Sequence, residues 1–208
     1  MRYYPIHYDS KGKKALVLGG GQVACQKIRS LLLGEFSIYV LSDRFCQDLL
    51  DLKEAHPDRI QLKGQFLTDS FVFMGYDLLV IATSDHALNA SLEDYAKTKK
   101  ILYVRTDDRS DSNFILPKIV AKDPITVSIA TGGASPTLTK LIGQEIEKTL
   151  ENLDLEKIQY LSEIREKCKD MNPGDRSKLI EDLYQKDRSQ VKKYLEEMHE
   201  NQTRNTEE

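Results

Sequence analysis

The sequence lacks the segments that would mark a membrane protein or a secreted protein. None of its apolar runs reaches the roughly 20 residues that a helix needs to cross a bilayer. Residues 1–5 also lack the apolar core and the small-residue cleavage site of a secretory signal peptide. We therefore expect a cytoplasmic protein that has no membrane partner.

Cysteine is scarce, and there is no excess of positive charge. The three cysteines, Cys25, Cys46 and Cys168, are widely spaced and form no CxxC or Cys/His cluster. This pattern indicates reduced structural thiols and excludes a disulfide framework. It leaves any metal site unassigned. The formal net charge of −3 argues against nucleic acid as a partner.

What the sequence does contain is an apolar run that stops at three consecutive glycines. The run, residues 15–18, is too short for a helix and is typical of a buried parallel strand. Gly19, Gly21 and Ala24 then fit the pattern G-x-G-x-x-G/A. In this pattern the first glycine makes the turn, the second admits a pyrophosphate, and the third position packs helix against strand. The pattern predicts a dinucleotide site.

The helix that follows the glycines begins at Gln22 and is predicted to run to about Leu33, with Val23 on its apolar side. The first N–H groups of a helix have no acceptor within the helix, and the helix dipole is positive at this end. Backbone donors of Gly21, Gln22 and Val23 are therefore expected to bind the phosphates without help from a basic side chain.

An acidic residue follows the second predicted strand, which covers residues 37–41. Asp43 stands close to the spacing of about 20 residues at which such folds hold the ribose hydroxyls of the adenosine. Arg44 comes next and could meet the 2′-phosphate of NADP. Because Asp43 would repel that phosphate, the sequence favours NAD.

A third buried strand is predicted at residues 76–83, after a short helix expected to begin at residues 68–71. In a doubly wound sheet, ligands bind at the carboxyl ends of the strands. Ala82 and Thr83 are therefore predicted to line the same crevice as the glycines and to contact the nicotinamide half of the cofactor. Asp85 is interpreted as the N-cap of the next helix.

Residues 105–113 form a polar loop after the strand at residues 101–104, with three carboxylates and two arginines. A loop at this position is expected to border the crevice. Further on, residues 125–130 alternate with period two, so one face of that strand should be exposed or meet a partner. A second glycine-rich helix start follows, with Ser135 as a plausible N-cap, and is a second candidate anion site.

Four blocks of sequence occur in the order found in one known family. They are GGGQVA, VIATSD, NFILP and VSIATGGASPTLTKLI. With them the chain resembles the siroheme synthase N-terminal domain family over residues 3–150. The resemblance implies a homodimer that uses NAD to oxidise precorrin-2, a tetrapyrrole, to sirohydrochlorin. Some relatives also insert iron, and the sequence leaves that activity open.

The same resemblance implies an α/β architecture. It comprises an NAD-binding Rossmann domain at residues 1–113, a small strand-rich dimerisation region at 114–147 and a helical C-terminal domain at 148–200. Residues 201–208 are expected to be a disordered tail. The apolar stripes of the C-terminal helices look too narrow for a core of their own, which predicts packing on the partner subunit or over the substrate crevice.

The oxidation needs a base for the proton, and the loop offers two candidates. Many relatives place their proposed acid/base directly after the strand, where counting back from NFILP puts Thr106, with Asp107 beside it. Other relatives carry Ser-Asp-x-Asn, which residues 110–113 reproduce. The catalytic residue is therefore predicted to be Asp111 or Asp107.

The substrate is a polycarboxylate, so basic side chains near the crevice are candidates for binding it. These candidates, together with the hydroxyl at the second helix start, are Arg105, Arg109, Lys118, Lys140 and Ser135. Two other functions compete: an NAD-sensing regulatory module without catalysis, and an NADP-dependent reductase of another small molecule. The regulatory module would not need the polar loop or the second glycine-rich helix start, and the reductase is disfavoured because Asp43 would repel the 2′-phosphate.

Overall fold

The computed structural model describes residues 2–108, 110–132 and 135–204. Arg109 and the last four residues of the expected tail lie outside this part. The elements in chain order are β1 (Lys14–Leu18), α1 (Gln22–Leu31), β2 (Ser37–Ser42), α2 (Gln47–Ala55), β3 (Ile60–Gly64), β4 (Leu78–Ile81), α3 (His86–Lys99), β5 (Leu102–Arg105), β6 (Lys118–Lys122), β7 (Ile125–Ile129), α4 (Pro136–Glu151), α5 (Leu155–Lys167), α6 (Pro173–Tyr184) and α7 (Arg188–Arg204).

Two compact units divide the chain. The first contains Met1–Ile119 and Ser128–Thr139, and the second contains Val120–Val127 and Lys140–Glu208. The division does not coincide with the boundaries expected from sequence, since the hairpin β6–β7 and helix α4 each contribute to both units. Helix α7 extends through Arg204.

The first unit is built on a five-stranded parallel sheet in the order β3-β2-β1-β4-β5. The chain moves from β1 to one side for β2 and β3, then crosses to the other side for β4 and β5. The carboxyl ends of β1 and β4 therefore border the switch point, where this class of sheet binds its ligand. The predicted α/β Rossmann architecture is confirmed.

The central strands are buried on both faces, as continuous apolar runs in parallel sheets require. Residues 15–18 and the whole of β4 are buried. Helix α1 packs through Ala24, Cys25, Ile28 and Leu31, whereas Val23 is exposed. The prediction that Val23 lies on the packed side was wrong, because the buried stripe begins one residue later.

No helix forms in the described connection between β3 and β4, so the helix expected from residue 68 was also wrong. A single turn closes there with the Phe71 N–H donating to the Thr68 carbonyl oxygen at 3.0 Å. The segment then covers one face of the sheet with the buried side chains of Leu67 and Phe73. Phe71 and Phe73 are two residues apart and pack in the same apolar cluster. This spacing suits an extended segment, in which residues two apart point to the same side.

The hairpin β6–β7 forms a sheet of its own. Strand β7 alternates as expected, with Thr126 and Ser128 exposed and Ile125, Val127 and Ile129 more buried. Within the described residues these two strands pair only with each other.

Helices α5, α6 and α7 of the second unit do form their own core, contrary to the expectation from their narrow apolar stripes. Each helix presents a few apolar positions, and packing three helices together encloses them. The buried members of this core are Leu161, Ile164, Cys168, Leu183, Val191 and Leu195. No helix in the described part of the chain is long and apolar enough to span a membrane.

This core leads to a stability prediction. Ile164 is completely buried in it, so Ile164→Ala should lower the free energy of unfolding of the helical unit by about 2–5 kcal/mol. Denaturant unfolding followed by far-ultraviolet circular dichroism measures the loss. The matched control is Ile6→Ala, since Ile6 is largely exposed and its truncation should change stability little. Equal effects of the two substitutions would contradict a packed helical core.

Candidate functional site

The first glycine of the motif makes a turn that other residues cannot make. Gly19 has a φ of +116°, and its N–H donates to the Leu41 carbonyl oxygen at 2.9 Å. A Cβ at this position would overlap the carbonyl oxygen of Ala82. The turn is thus held between the ends of β2 and β4, and its glycine is required both by the positive φ and by the close approach.

Gly20 has a role that the motif does not assign. A Cβ on Gly20 would overlap the carbonyl oxygen of Arg44 and lie 2.9 Å from the Phe45 ring. The Cys46 N–H donates to the Gly20 carbonyl oxygen at 2.8 Å. The loop after β2 therefore packs directly on the glycine turn, and the only hint in the sequence was a third glycine between the two of the motif.

The N-terminus of α1 is open for an anion. Gly21 is the N-cap and has no side chain to cap the helix, and the first turn contains no acidic residue. The first α-helical bond runs from the Cys25 N–H to the Gly21 carbonyl oxygen, so the N–H groups of Gln22 and Val23 have no acceptor within the helix. A Cβ on Gly21 would meet no atom within 4 Å. The open space beside Gly21, together with the N–H groups of Gln22 and Val23, fits a pyrophosphate.

Asp43 lies one residue past the end of β2, at the same edge of the sheet. Its side chain is 56% exposed, and its nearest cation is the almost fully exposed Arg44, with Nε 3.8 Å from Oδ2. An exposed pair at that distance contributes little. The carboxylate is therefore available to accept hydrogen bonds from a ribose diol.

Ala82 and Thr83 follow β4, and the Ala82 carbonyl oxygen lies against Gly19 in the glycine turn. The Ala82 N–H donates to the Leu18 carbonyl oxygen at 2.8 Å. The Thr83 hydroxyl donates to Oδ1 of the fully buried Asn89, and Nδ2 of Asn89 donates back to the Thr83 carbonyl oxygen at 3.1 Å. Asp85 caps α3 by accepting from the N–H groups of Ala87 and Leu88, so its predicted capping role is confirmed.

Arg105 does not face the crevice as a substrate-binding cation. Its buried guanidinium donates to both carboxylate oxygens of Asp107, at 2.8 Å from Nε and 2.9 Å from Nη2. Nη1 donates to the buried Glu93 at 3.1 Å. Because Nε, Nη1 and Nη2 of Arg105 all donate to partners within the protein, the geometry argues against the predicted direct contact of Arg105 with the substrate. The charge of Arg105 is used inside the protein.

Asp107 is held ionised by this arrangement. The hydrogen bonds from Arg105 lower the pKa of Asp107 far below its usual range, and bonds from Asn89 and His86 lower it further, against the opposing effect of burial. The second oxygen of Asp107 lies 2.6 Å from Nδ1 of His86. Sequence reasoning missed His86. The available signal was its place as the first residue of α3, at the carboxyl end of β4.

Asp111 points away from this edge. Its carboxylate lies 3.0 Å from Nζ of Lys97, and its carbonyl oxygen accepts from the Tyr103 hydroxyl. Lys97 follows His86 by eleven residues on the same helix, a separation of roughly 16 Å at 1.5 Å per residue. Of the two predicted catalytic carboxylates, only Asp107 lies where the glycine turn, β4 and β5 end.

The other predicted substrate residues lie on different elements of the described structure. Ser135 precedes α4, and its hydroxyl accepts from the Leu138 N–H at 3.3 Å. Lys118 opens β6 and is exposed, and Lys140 is exposed in α4. Lys140 belongs to the second unit and the other two to the first, and Arg109 lies outside the described residues.

Comparison with known proteins agrees with the cofactor site. A family model described as "Putative NAD(P)-binding" matches residues 6–118 of the chain. The chain belongs to this family. The match contains the glycine turn, Asp43, the end of β4 and the Asp107–His86 pair.

Individual proteins that are similar to this chain carry more specific names. Siroheme synthase of Nitrosospira multiformis is 29% identical over 171 residues, which are 81% of this chain and 36% of the relative. Siroheme synthase of Actinobacillus pleuropneumoniae serotype 7 is 32% identical over 147 residues, which are 71% of this chain and 30% of the relative. The chain thus spans about a third of the length of these enzymes.

One solved structure has the same fold along most of the chain. It is named "SirC, precorrin-2 dehydrogenase" and aligns with a TM-score of 0.70 at 23% identity, covering 95% of this chain and 99% of that one. In residues 2–108, 110–132 and 135–204, no cluster of three or more His, Cys, Asp or Glu side chains is arranged to hold a metal ion.

The prediction that the pyrophosphate binds beside Gly21 can be tested by placing a side chain there. Gly21→Val should weaken NAD binding more than about tenfold, because the side chain would occupy the space left for the pyrophosphate. Stability should be unchanged, since a Cβ there meets no neighbour. Titration calorimetry measures the affinity. The control is Gly64→Val, at another glycine where a Cβ meets nothing within 4 Å, and NAD affinity equal in both variants would contradict the assignment.

Proposed function

We propose that this protein is an NAD-dependent dehydrogenase that oxidises precorrin-2 to sirohydrochlorin. The observation that carries the proposal is the juxtaposition of two features at one edge of the sheet. The glycine turn with the free N–H groups of α1 suits a dinucleotide, and the Asp107–His86 pair beside the end of β4 suits proton transfer. A dehydrogenase needs both, whereas a cofactor-sensing module needs only the first.

The substrate is proposed from the names of the similar proteins together with the chemistry. Bound NAD supplies the hydride acceptor for a partly reduced tetrapyrrole. The chain must then orient the substrate against the cofactor and take up one proton. Lys118 and Lys140, with Arg109 and Ser135, remain the candidates for binding its carboxylates, since exposed ammonium groups attract them. Arg105 contributes by positioning Asp107.

NAD is proposed as the preferred form of the cofactor. The exposed carboxylate of Asp43 can accept hydrogen bonds from both ribose hydroxyls, and it would repel a 2′-phosphate. Arg44, which is also exposed, is the one feature at this position that favours NADP. Its Nε already lies within 4 Å of Asp43, so part of its charge is offset there.

Incubation of the purified protein with precorrin-2 and either nucleotide tests the proposal. Sirohydrochlorin should form with NAD, faster than with NADP, as followed by absorbance. Preference for NADP would remove the assigned role of Asp43. NAD binding without any turnover would favour the regulatory alternative. Iron insertion remains a prediction of the family resemblance, and adding Fe²⁺ to the product of the same assay tests it.

We also propose that the protein is a homodimer that uses residues 115–140. Strands β6 and β7 pair only with each other in the described chain, so their outer edges can pair with a second copy. Helix α4 adds the exposed apolar side chain of Leu138 within this segment, and those of Leu141 and Ile142 directly after it. Exposed apolar side chains and open strand edges are both typical of an interface between subunits.

Light scattering should therefore give the mass of a dimer at micromolar concentration. Leu141→Asp should shift the equilibrium toward monomer, because a charge would be buried in the interface. Leu33→Asp is the control, since Leu33 is also exposed but lies after α1. A monomeric wild-type protein would overturn the proposed dimer.

A further inference from the structure

Two groups beside the switch point form a linked pair that the sequence did not reveal. Nδ1 of His86 lies 2.6 Å from one carboxylate oxygen of Asp107. Asp107 is only 11% exposed, while His86 is 79% exposed. One partner is therefore fixed inside the protein, and the other reaches into the space at the edge of the sheet.

The fixed partner is locked from several sides. Arg105 donates to both oxygens of Asp107, and its position is set in turn by the buried Glu93 and by the His86 carbonyl oxygen. A carboxylate held by a bidentate guanidinium has a defined plane and direction. The direction in which it meets His86 is consequently defined as well.

The charge on Asp107 determines which nitrogen of His86 carries the proton. The hydrogen bonds from Arg105 keep the pKa of Asp107 far below its usual range, so its oxygens only accept hydrogen bonds. A short contact to Nδ1 then requires an N–H on that nitrogen. In the neutral imidazole, Nε2 is left with its lone pair free to accept a proton.

The position of the pair follows from the topology. His86 is the first residue of α3 and follows Ala82 by four positions. The carbonyl oxygen of Ala82 packs directly on Gly19. Asp107 follows the last residue of β5 by two positions. Helix α3 begins and β5 ends at the carboxyl edge of the sheet, next to the switch point at which the cofactor is expected.

We propose that His86 is the catalytic base of the dehydrogenation and that Asp107 is a positioning residue acting through it. The inference rests on the proposed function. One C–H bond of the substrate breaks with its electron pair and delivers hydride to the nicotinamide ring of NAD. A second hydrogen leaves as a proton to Nε2 of His86. The substrate is oxidised by two electrons, NAD becomes NADH, and His86 later releases its proton to water.

Asp107 itself is poorly suited to be the base. Both of its oxygens are already engaged by Arg105, and one of them also meets His86. A carboxylate stabilised so strongly as an anion has little tendency to take up a proton. The exposed imidazole can reach a substrate, and its Nε2 has a lone pair that can accept a proton.

Two substitutions of His86 test its role as the base. His86→Gln can still donate an amide N–H to Asp107 yet cannot accept a proton, and His86→Ala removes both functions. Each should lower kcat by about 10²- to 10⁴-fold, the usual contribution of general base catalysis. The affinity for NAD, measured by calorimetry, should stay within about twofold of wild type. His56→Gln, at an exposed histidine at the end of α2, is the matched control and should retain wild-type kcat.

Asp107→Asn tests the positioning role. Alone it should also lower kcat, but in the His86→Gln background it should cause little further loss, because both residues act on the same step. Fully additive losses would overturn an action through His86. Thermal melts of all variants confirm that each rate refers to folded protein.

The possible results separate the two proposals. Wild-type protein that forms no sirohydrochlorin would overturn the proposed function and this inference with it. Active wild type with an active His86→Gln variant would overturn the inference alone. Nitrogen NMR of the free protein provides a readout without turnover: neutral His86 should carry its proton on Nδ1, and a proton on Nε2 would contradict the arrangement.

Discussion

The hydrogen bonds and ion pairs of the buried Arg105 guanidinium fix the conformation of the carboxyl edge of the sheet. A cation removed from water is tolerated only when anions and hydrogen-bond acceptors surround it. Here Glu93 of α3 and Asp107 of the following loop supply the anions, and the His86 carbonyl oxygen supplies a further acceptor. The ion pair thus joins the end of β5 to the first two turns of α3. It gives the loop after β5 a defined conformation at the edge of the sheet where the cofactor is proposed to bind.

Much of the fold could be predicted because its signals are local. The buried strands appear as apolar runs, and the glycines appear where one strand turns into a helix. Two predictions failed for a common reason. The covering segment with Phe71 and Phe73, and the core around Ile164, are stabilised by residues that meet only in three dimensions. A single segment viewed alone shows too few apolar positions to reveal such packing.

The cofactor half of the site was easier to predict than the catalytic half. The roles proposed for Gly19, Gly21 and Asp43 depend on backbone geometry and fixed spacing, which a sequence displays directly. The roles of Arg105, Asp107 and His86 depend on which side chain faces which, across separations of up to 21 residues. Composition suggested a cationic crevice, whereas the structure uses one of those cations to orient an anion. Charge counting cannot distinguish these uses, because both require the same residue types.

The contact between Gly20 and the loop after β2 has a consequence for how a ligand is received. The carbonyl oxygen of Gly20 accepts from Cys46, and there is no room between Gly20 and Arg44 for even a methyl group. The glycine turn and the loop that carries Asp43 therefore form one preassembled surface. A dinucleotide arriving there does not have to order two separate loops, so the entropic cost of that ordering is met during folding. In the proposed binding mode, the contacts to the adenosine and to the pyrophosphate would fall on this one rigid surface of the protein.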